Sequence, residues 1–161
     1  MLDRRKFTLA GLGLAAAGLA ARNQTATAAD KEFPVTKTEA QWKKILTEDQ
    51  YYVLRKHGTE RAGTSPLDKT YSAGTYHCAA CDQALFTSDT KFDSGTGWPS
   101  FWAPLENAIG TSEDRTLFFS VRTEVHCRRC GGHLGHVFED GPPPTGLRYC
   151  MNGVSMRFVA T

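Results

Sequence analysis

The apolar positions along this chain change rhythm twice. Residues 9–21 form an unbroken run of Ala, Gly and Leu. Between residues 38 and 58 the spacing becomes helical, with Trp42, Ile45 and Leu46 and then Tyr51 and Leu54 falling three or four apart. Thr38-Glu39-Ala40-Gln41 and Thr47-Glu48-Asp49-Gln50 each set a Thr three residues before a Gln. That is the capping-box arrangement, in which side chain and backbone at a helix start satisfy each other's hydrogen bonds. The pattern predicts one helix from there through about Leu46. A second runs through Tyr51, Val53 and Leu54 and is stopped at Gly58 as a left-handed residue. From Tyr71 onward the runs shorten to strand length, at residues 74–78, 84–86, 109–111, 117–123, 134–138, 147–152 and 155–159, with Gly, Pro, Asp and Ser between them. Residues 141–146, Gly-Pro-Pro-Pro-Thr-Gly, suit neither helix nor central strand and read as a stiff connector. Long helices do not alternate with the strands, which argues against a doubly wound parallel sheet. The expectation is a mainly β, mostly antiparallel fold behind short N-terminal helices.

The first apolar run belongs to something else. Arg4-Arg5-Lys6-Phe7 precedes it and Ala26-Thr27-Ala28-Ala29 follows, so a basic start leads to a mild apolar stretch and small residues. This describes an export signal of the twin-arginine kind over residues 1–29, ahead of one domain at 30–161. As a helix the run covers about 22 Å, short of the ~30 Å hydrocarbon core that a membrane anchor must cross. The 19 basic and 17 acidic residues fall to 15 and 16 once Arg4, Arg5, Lys6, Arg22 and Asp3 are set aside. The basic balance therefore belongs to the signal and argues for no nucleic-acid or membrane partner afterwards. A periplasmic location is expected, with the domain acting as a monomer.

Five cysteines divide into two pairs and a singleton. Cys78 and Cys81 form one C-x-x-C, Cys127 and Cys130 another, and Cys150 stands alone. Two such knuckles supply the four thiolates of a tetrahedral zinc site. Four protein ligands leave no open position, so the expected cofactor is one structural zinc ion. A redox pair would need a βαβ setting, which neither motif has. Gly131-Gly132 permits a tight turn at the second knuckle, and His77 and His126 are read as neighbours of the knuckles rather than ligands. The metal leaves Cys150 free to react.

Arg148, Cys150 and Asn152 are spaced by two and share one face of an extended strand. A cation beside a thiol favours the thiolate, the nucleophilic form. Without that neighbourhood Cys150 would read as an inert core cysteine. His133 and His136 offer acid and base capability, but residues three apart face opposite sides of a regular strand. A bulge at Gly135 would bring both imidazoles to one face. In Gly97-Trp98-Pro99-Ser100-Phe101-Trp102 a rigid apolar wall is available, although Phe101 and Trp102 are expected in the core.

Taken in order, these motifs resemble the B-type methionine sulfoxide reductases, which act on the R epimer. The likeness runs from about Thr38 to Val159 and is carried by both knuckles and five further segments. They are Phe92-Asp93-Ser94-Gly95, Gly97-Trp98-Pro99-Ser100-Phe101, Gly132-His133-Leu134-Gly135-His136-Val137-Phe138, Asp140-Gly141-Pro142 and Leu147-Arg148-Tyr149-Cys150-Met151-Asn152. The resemblance implies a pair of antiparallel sheets (SelR-like, a β-tent) and places zinc on Cys78, Cys81, Cys127 and Cys130. It implies Cys150 as the nucleophile and Trp98 as the seat of the substrate methyl. His133, His136 and Asn152 would then orient substrate and move protons, with Arg148 beside the nucleophile. The implied substrate is oxidised methionine in proteins, and the implied partner a thioredoxin-like or small-thiol reductant. One position departs from the pattern: where many members carry a resolving cysteine, this chain has Thr96. Two rival readings remain, a cysteine hydrolase using Cys150, His133 and Asn152, and a zinc-ribbon binding module that needs no thiol.

Overall fold

The chain is described here from a computed structural model over residues 33–117 and 120–161; residues 1–29, expected to be the signal, lie outside the described part. Both capping boxes form. Helix α1 is Glu39–Ile45, opened by Thr38, and helix α2 is Glu48–Lys56, opened by Thr47. In each, the Thr hydroxyl accepts from the Gln backbone N–H while the Gln side chain accepts from the Thr N–H. Trp42, Leu46 and Leu54 turn inward as expected and Tyr51 is half-buried; Val53 is buried as well, but Ile45 is 54% exposed. The left-handed stop is His57 (φ 56°) rather than Gly58. A Cβ at Gly58 would lie 2.2 Å from the exposed Tyr52 ring, which would have to swing aside. Among the described residues no helix is long and apolar enough to cross a membrane.

Among the described residues nine strands follow: β1 Gly74–Cys78, β2 Ala84–Thr87, β3 Lys91–Phe92, β4 Ser100–Phe101, β5 Ile109–Leu117, β6 Ser120–Cys127, β7 His133–Phe138, β8 Arg148–Met151 and β9 Met156–Ala160. They make two antiparallel sheets, one ordered β2-β1-β9 and the other β3-β4-β8-β7-β6-β5. The sheet edges differ from the sequence expectation where pairing, not local pattern, decides. β5 runs past Thr111 to Leu117 because β6 pairs with it as far as Arg122 and Ser120. β3 and β4, two residues each, were invisible to periodicity.

The sheets meet through aromatic rings. Phe86 of β2 stacks on Phe101 of β4 at 4.3 Å, and Tyr76 of β1 meets Phe101 edge-on at 4.9 Å. Such pairs add about 0.5–1.5 kcal/mol each beyond the area they bury. Phe101 is thus core as expected, whereas Trp102 is only half-buried. Leu54 from α2 and Leu134 from β7 extend the same core.

Candidate active site and cysteine clamp

Cys150 lies in the middle of the larger sheet, where β8 is flanked by β4 and β7. Its direct cross-strand neighbours are Ser100 and His136, and residues so paired share a face. This face opens into a pocket of about 150 Å³ lined by Trp98, His136, Phe138, Cys150, Asn152 and Arg122, among others. Thr96 Oγ1 stands 3.9 Å from Cys150 Sγ and is linked through Ser94 to Ser100. Burial pushes the Cys150 thiol above its ordinary value, although Thr96, Arg148 and Ser100 all pull it down. The expected Arg148 is present, yet most of its guanidinium is committed elsewhere. It grips Asp140 through two bonds of 2.8 Å and lies 4.5 Å over the Phe138 ring.

The two histidines do share a face, with ring centroids 5.3 Å apart. The register with β6 slips between Val125, opposite Gly135, and His126, opposite His133, so the extra residue is Leu134. The bulge therefore falls one residue before Gly135. Gly135 serves a different need: a Cβ would lie 2.1 Å from the Cys150 carbonyl and 2.9 Å from Met151 Cα. Each imidazole rests on a carboxylate that the sequence had not singled out. His133 Nδ1 donates to Glu124 Oε1 at 2.7 Å, while His136 Nε2 lies 2.7 Å from Asp114 Oδ2, which also accepts from Arg122 at 2.6 Å. Burial raises the Glu124 carboxyl, but hydrogen bonds from His133, His57 and Ser112 hold it far below the carboxylate range. Burial depresses His136 despite Asp114. His133 is 2% exposed and its Nε2 has no hydrogen-bond partner among the described residues.

Asn152 and Trp98 are both fastened to Glu60. The Glu60 backbone N–H donates to Asn152 Oδ1 at 2.9 Å, and its carbonyl accepts from Trp98 Nε1 at 3.1 Å. Its carboxylate accepts from the backbone N–H groups of Gly153 and Val154, at 2.5 and 3.0 Å. Asn152 Nδ2 also donates to Leu134 O at 3.0 Å, so that amide braces strands as well as lining the pocket. An acidic residue in a polar loop carries no periodicity or spacing signal, and Glu60 was not legible in the sequence.

The four paired cysteines converge, with their sulfurs within 4.8 Å of one another. Two approaches run between knuckles, Cys78 to Cys130 at 3.7 Å and Cys81 to Cys127 at 3.5 Å. A tetrahedral zinc ion with Zn–S bonds of ~2.3 Å separates its sulfurs by about 3.8 Å, so the set fits that ion. Each knuckle closes on a left-handed residue, Asp82 in the first and Gly131 in the second. His77 bonds Asp82 and His126 packs edge-on against Phe33, so neither joins the cluster.

Comparison with known proteins places the chain in a family. Residues 46–160 match the SelR domain. The chain is 56% identical over 124 residues to the peptide methionine sulfoxide reductase MsrB of Agrobacterium fabrum, covering 77% of this chain and 92% of that one. It is 52% identical over 126 residues to the MsrB of Leptospira interrogans, covering 78% and 96%. Against peptide methionine sulfoxide reductase B1, chloroplastic, of Arabidopsis thaliana, identity is 48% over 132 residues, covering 82% and 65%.

Proposed function

Since the chain belongs to the SelR-domain family of B-type peptide methionine sulfoxide reductases, we propose that it reduces the R epimer of methionine sulfoxide in proteins, with Cys150 as nucleophile. The observation that carries this reading is the single pocket shared by Cys150, His136 and Trp98. The substrate methyl rests against Trp98, and the sulfoxide oxygen lies toward the histidines. The Cys150 thiolate attacks the sulfoxide sulfur while an imidazolium protonates the oxygen, which is otherwise a poor leaving group. The sulfur–oxygen bond breaks and, with a second proton from solvent, the oxygen leaves as water, giving a sulfonium bonded to Cys150 Sγ. Water then attacks Sγ, the new sulfur–sulfur bond breaks with its electron pair going to methionine, and Cys150 is left as a sulfenic acid. His133 and His136 supply and hold the proton, Glu124 and Asp114 orient them, and Arg148 favours the thiolate. Asn152 and Glu60 hold the pocket walls.

Thr96 occupies the place beside Cys150 from which a second thiol would act. Regeneration then falls to an external thiol: it displaces water from the sulfenic acid to give a mixed disulfide, and a second thiol releases Cys150. A thioredoxin-like protein or a small thiol fits this role. Cys78, Cys81, Cys127 and Cys130 hold one zinc ion whose contribution is to fix the fold, since four thiolates fill its coordination. The Arg4-Arg5 start supports export of the monomeric domain to the periplasm, with residues 1–29 as the signal. Cell fractionation tests that, and finding the full-length chain in the cytoplasm alone would refute it.

The decisive experiment is single turnover of resolved R and S peptide sulfoxides by pre-reduced protein without added thiol. One equivalent of methionine from the R epimer, with a trappable sulfenic acid on Cys150, is expected. Turnover of the S epimer alone, or full activity in Cys150→Ser, overturns the reading.

A further inference from the structure

A second convergent donor set lies on the far side of His133. His57, Glu124 and His133 bring two ring nitrogens and a carboxylate oxygen within 4.8 Å of one another. Two imidazoles and a carboxylate suit divalent transition ions of borderline softness. Glu124 Oε1 stands 2.9 Å from Nδ1 of His57 and 2.7 Å from Nδ1 of His133. Around an ion with bonds of ~2.0–2.2 Å the donors sit about 3.3–3.5 Å apart, so each edge must open by roughly half an ångström. His57 can open its own edge, because its side chain is 62% exposed at the end of α2, while the edge to the buried His133 opens by a shift of the Glu124 carboxylate. A hollow of about 320 Å³ lies against the three residues, with space for the waters that would complete the coordination. Its basic side chains are partly neutralised, Arg122 by Asp114 and Arg115 by Glu113.

We propose that His57, Glu124 and His133 form a second metal site, separate from the cysteine clamp, which takes a divalent ion such as Ni²⁺ or Zn²⁺ and inhibits the reductase when filled. The inhibition rests on the reading that His133 serves the sulfoxide oxygen. An imidazole whose Nδ1 lone pair is on an ion cannot become an imidazolium, and Glu124 is drawn from orienting the ring to ligating the metal. The ion takes the place of the Nδ1 protons that the two rings now share with Glu124. Inhibition would thus arise without any contact between the metal and Cys150.

The test uses the full chain after its metal content has been measured, with Ni²⁺ as probe. Calorimetry on Cys150→Ser removes the competing thiol and reports binding alone. Single turnover of wild type, without added thiol to chelate the probe, reports inhibition. We expect one Ni²⁺ per chain beyond the clamp and a fall in single-turnover rate of about 100-fold or more, the effect of losing a general acid. His57→Ala should weaken Ni²⁺ binding by more than about tenfold, the lower end of what even an outer-shell partner is worth, and abolish inhibition while the metal-free rate is unchanged. No additional Ni²⁺, or binding unaltered by His57→Ala, overturns the site. Inhibition that persists in His57→Ala assigns the effect to Cys150 and overturns the mechanism. The metal-free rate of wild type tests the reductase reading independently, so the two can fail separately.

Discussion

Burial acts on Cys150 and His136 in opposite directions, and the two residues face each other across one strand pair. It raises the thiol and lowers the imidazolium. The combination that the proposed mechanism needs, thiolate with imidazolium, is then a minor microstate whose population stays constant between the two titrations. Below the lowered His136 value thiolate is lost with nothing gained; above the raised Cys150 value imidazolium is lost. For kcat/KM with R sulfoxide we therefore expect a broad plateau bounded by those two limbs. Arg148→Gln removes a cation that favours the thiolate. The alkaline limb should move to higher pH and the plateau should sink by about tenfold per unit of displacement. An alkaline limb that moves to lower pH would show that Arg148 does not support the thiolate. The neighbouring Thr96 makes a second forecast possible. Its hydroxyl oxygen is 3.9 Å from Cys150 Sγ, close enough for Thr96→Cys to form a disulfide with small backbone adjustment. Mass spectrometry after one turnover should find Cys150 joined to the new thiol in that variant, and a sulfenic acid in wild type.

At the scale of elements, the site depends on how tightly β7 and β8 approach each other. Gly135→Ala would set a Cβ 2.1 Å from the Cys150 carbonyl, so the strands must part where Cys150 is held. Overpacking of this kind costs about 1–3 kcal/mol, and a displacement near 1 Å at a reacting group can cost about 100-fold in rate. Turnover should fall much further than the unfolding midpoint in urea; loss of both in proportion would mean the variant is merely unstable. The same strands show what a sequence can and cannot convey. Helices α1 and α2 were legible because a capping box is complete within four residues. The thiol, both histidines and both knuckles were legible because each is a short motif or a fixed spacing. Asp114 and Glu124 were not, since they reach their imidazoles only through the pairing of β5, β6 and β7. The bulge was foreseen near Gly135 yet falls on Leu134, because register is decided by the partner strand. His57 (φ 56°) took the left-handed stop that Gly58 was expected to fill, one residue earlier than the glycine marked.

Across the whole molecule, the cysteine clamp joins the two sheets. Cys78 ends β1 of the smaller sheet and Cys127 ends β6 of the larger one. Cys130 precedes by three residues the His133 that opens β7, so the clamp and the active site lie on one continuous stretch of backbone. Other elements converge on the same turn: Arg55 of α2 donates to the Cys130 carbonyl, Arg129 to that of Cys81, and Val35 N–H to that of Arg129. Structural zinc contributes about 10–16 kcal/mol of apparent folding free energy in small finger peptides, while a domain's net stability is about 5–15 kcal/mol. Loss of the proposed zinc would remove as much as such a domain's whole net stability. Stripping the metal with a strong chelator under reducing conditions should therefore abolish the cooperative thermal transition and the reductase activity together. Calorimetry beside metal analysis and single-turnover assay checks this, and activity should return when Zn²⁺ is restored to the reduced chain. Stripped protein that keeps its transition and its turnover would show that the four sulfurs hold the sheets without a metal.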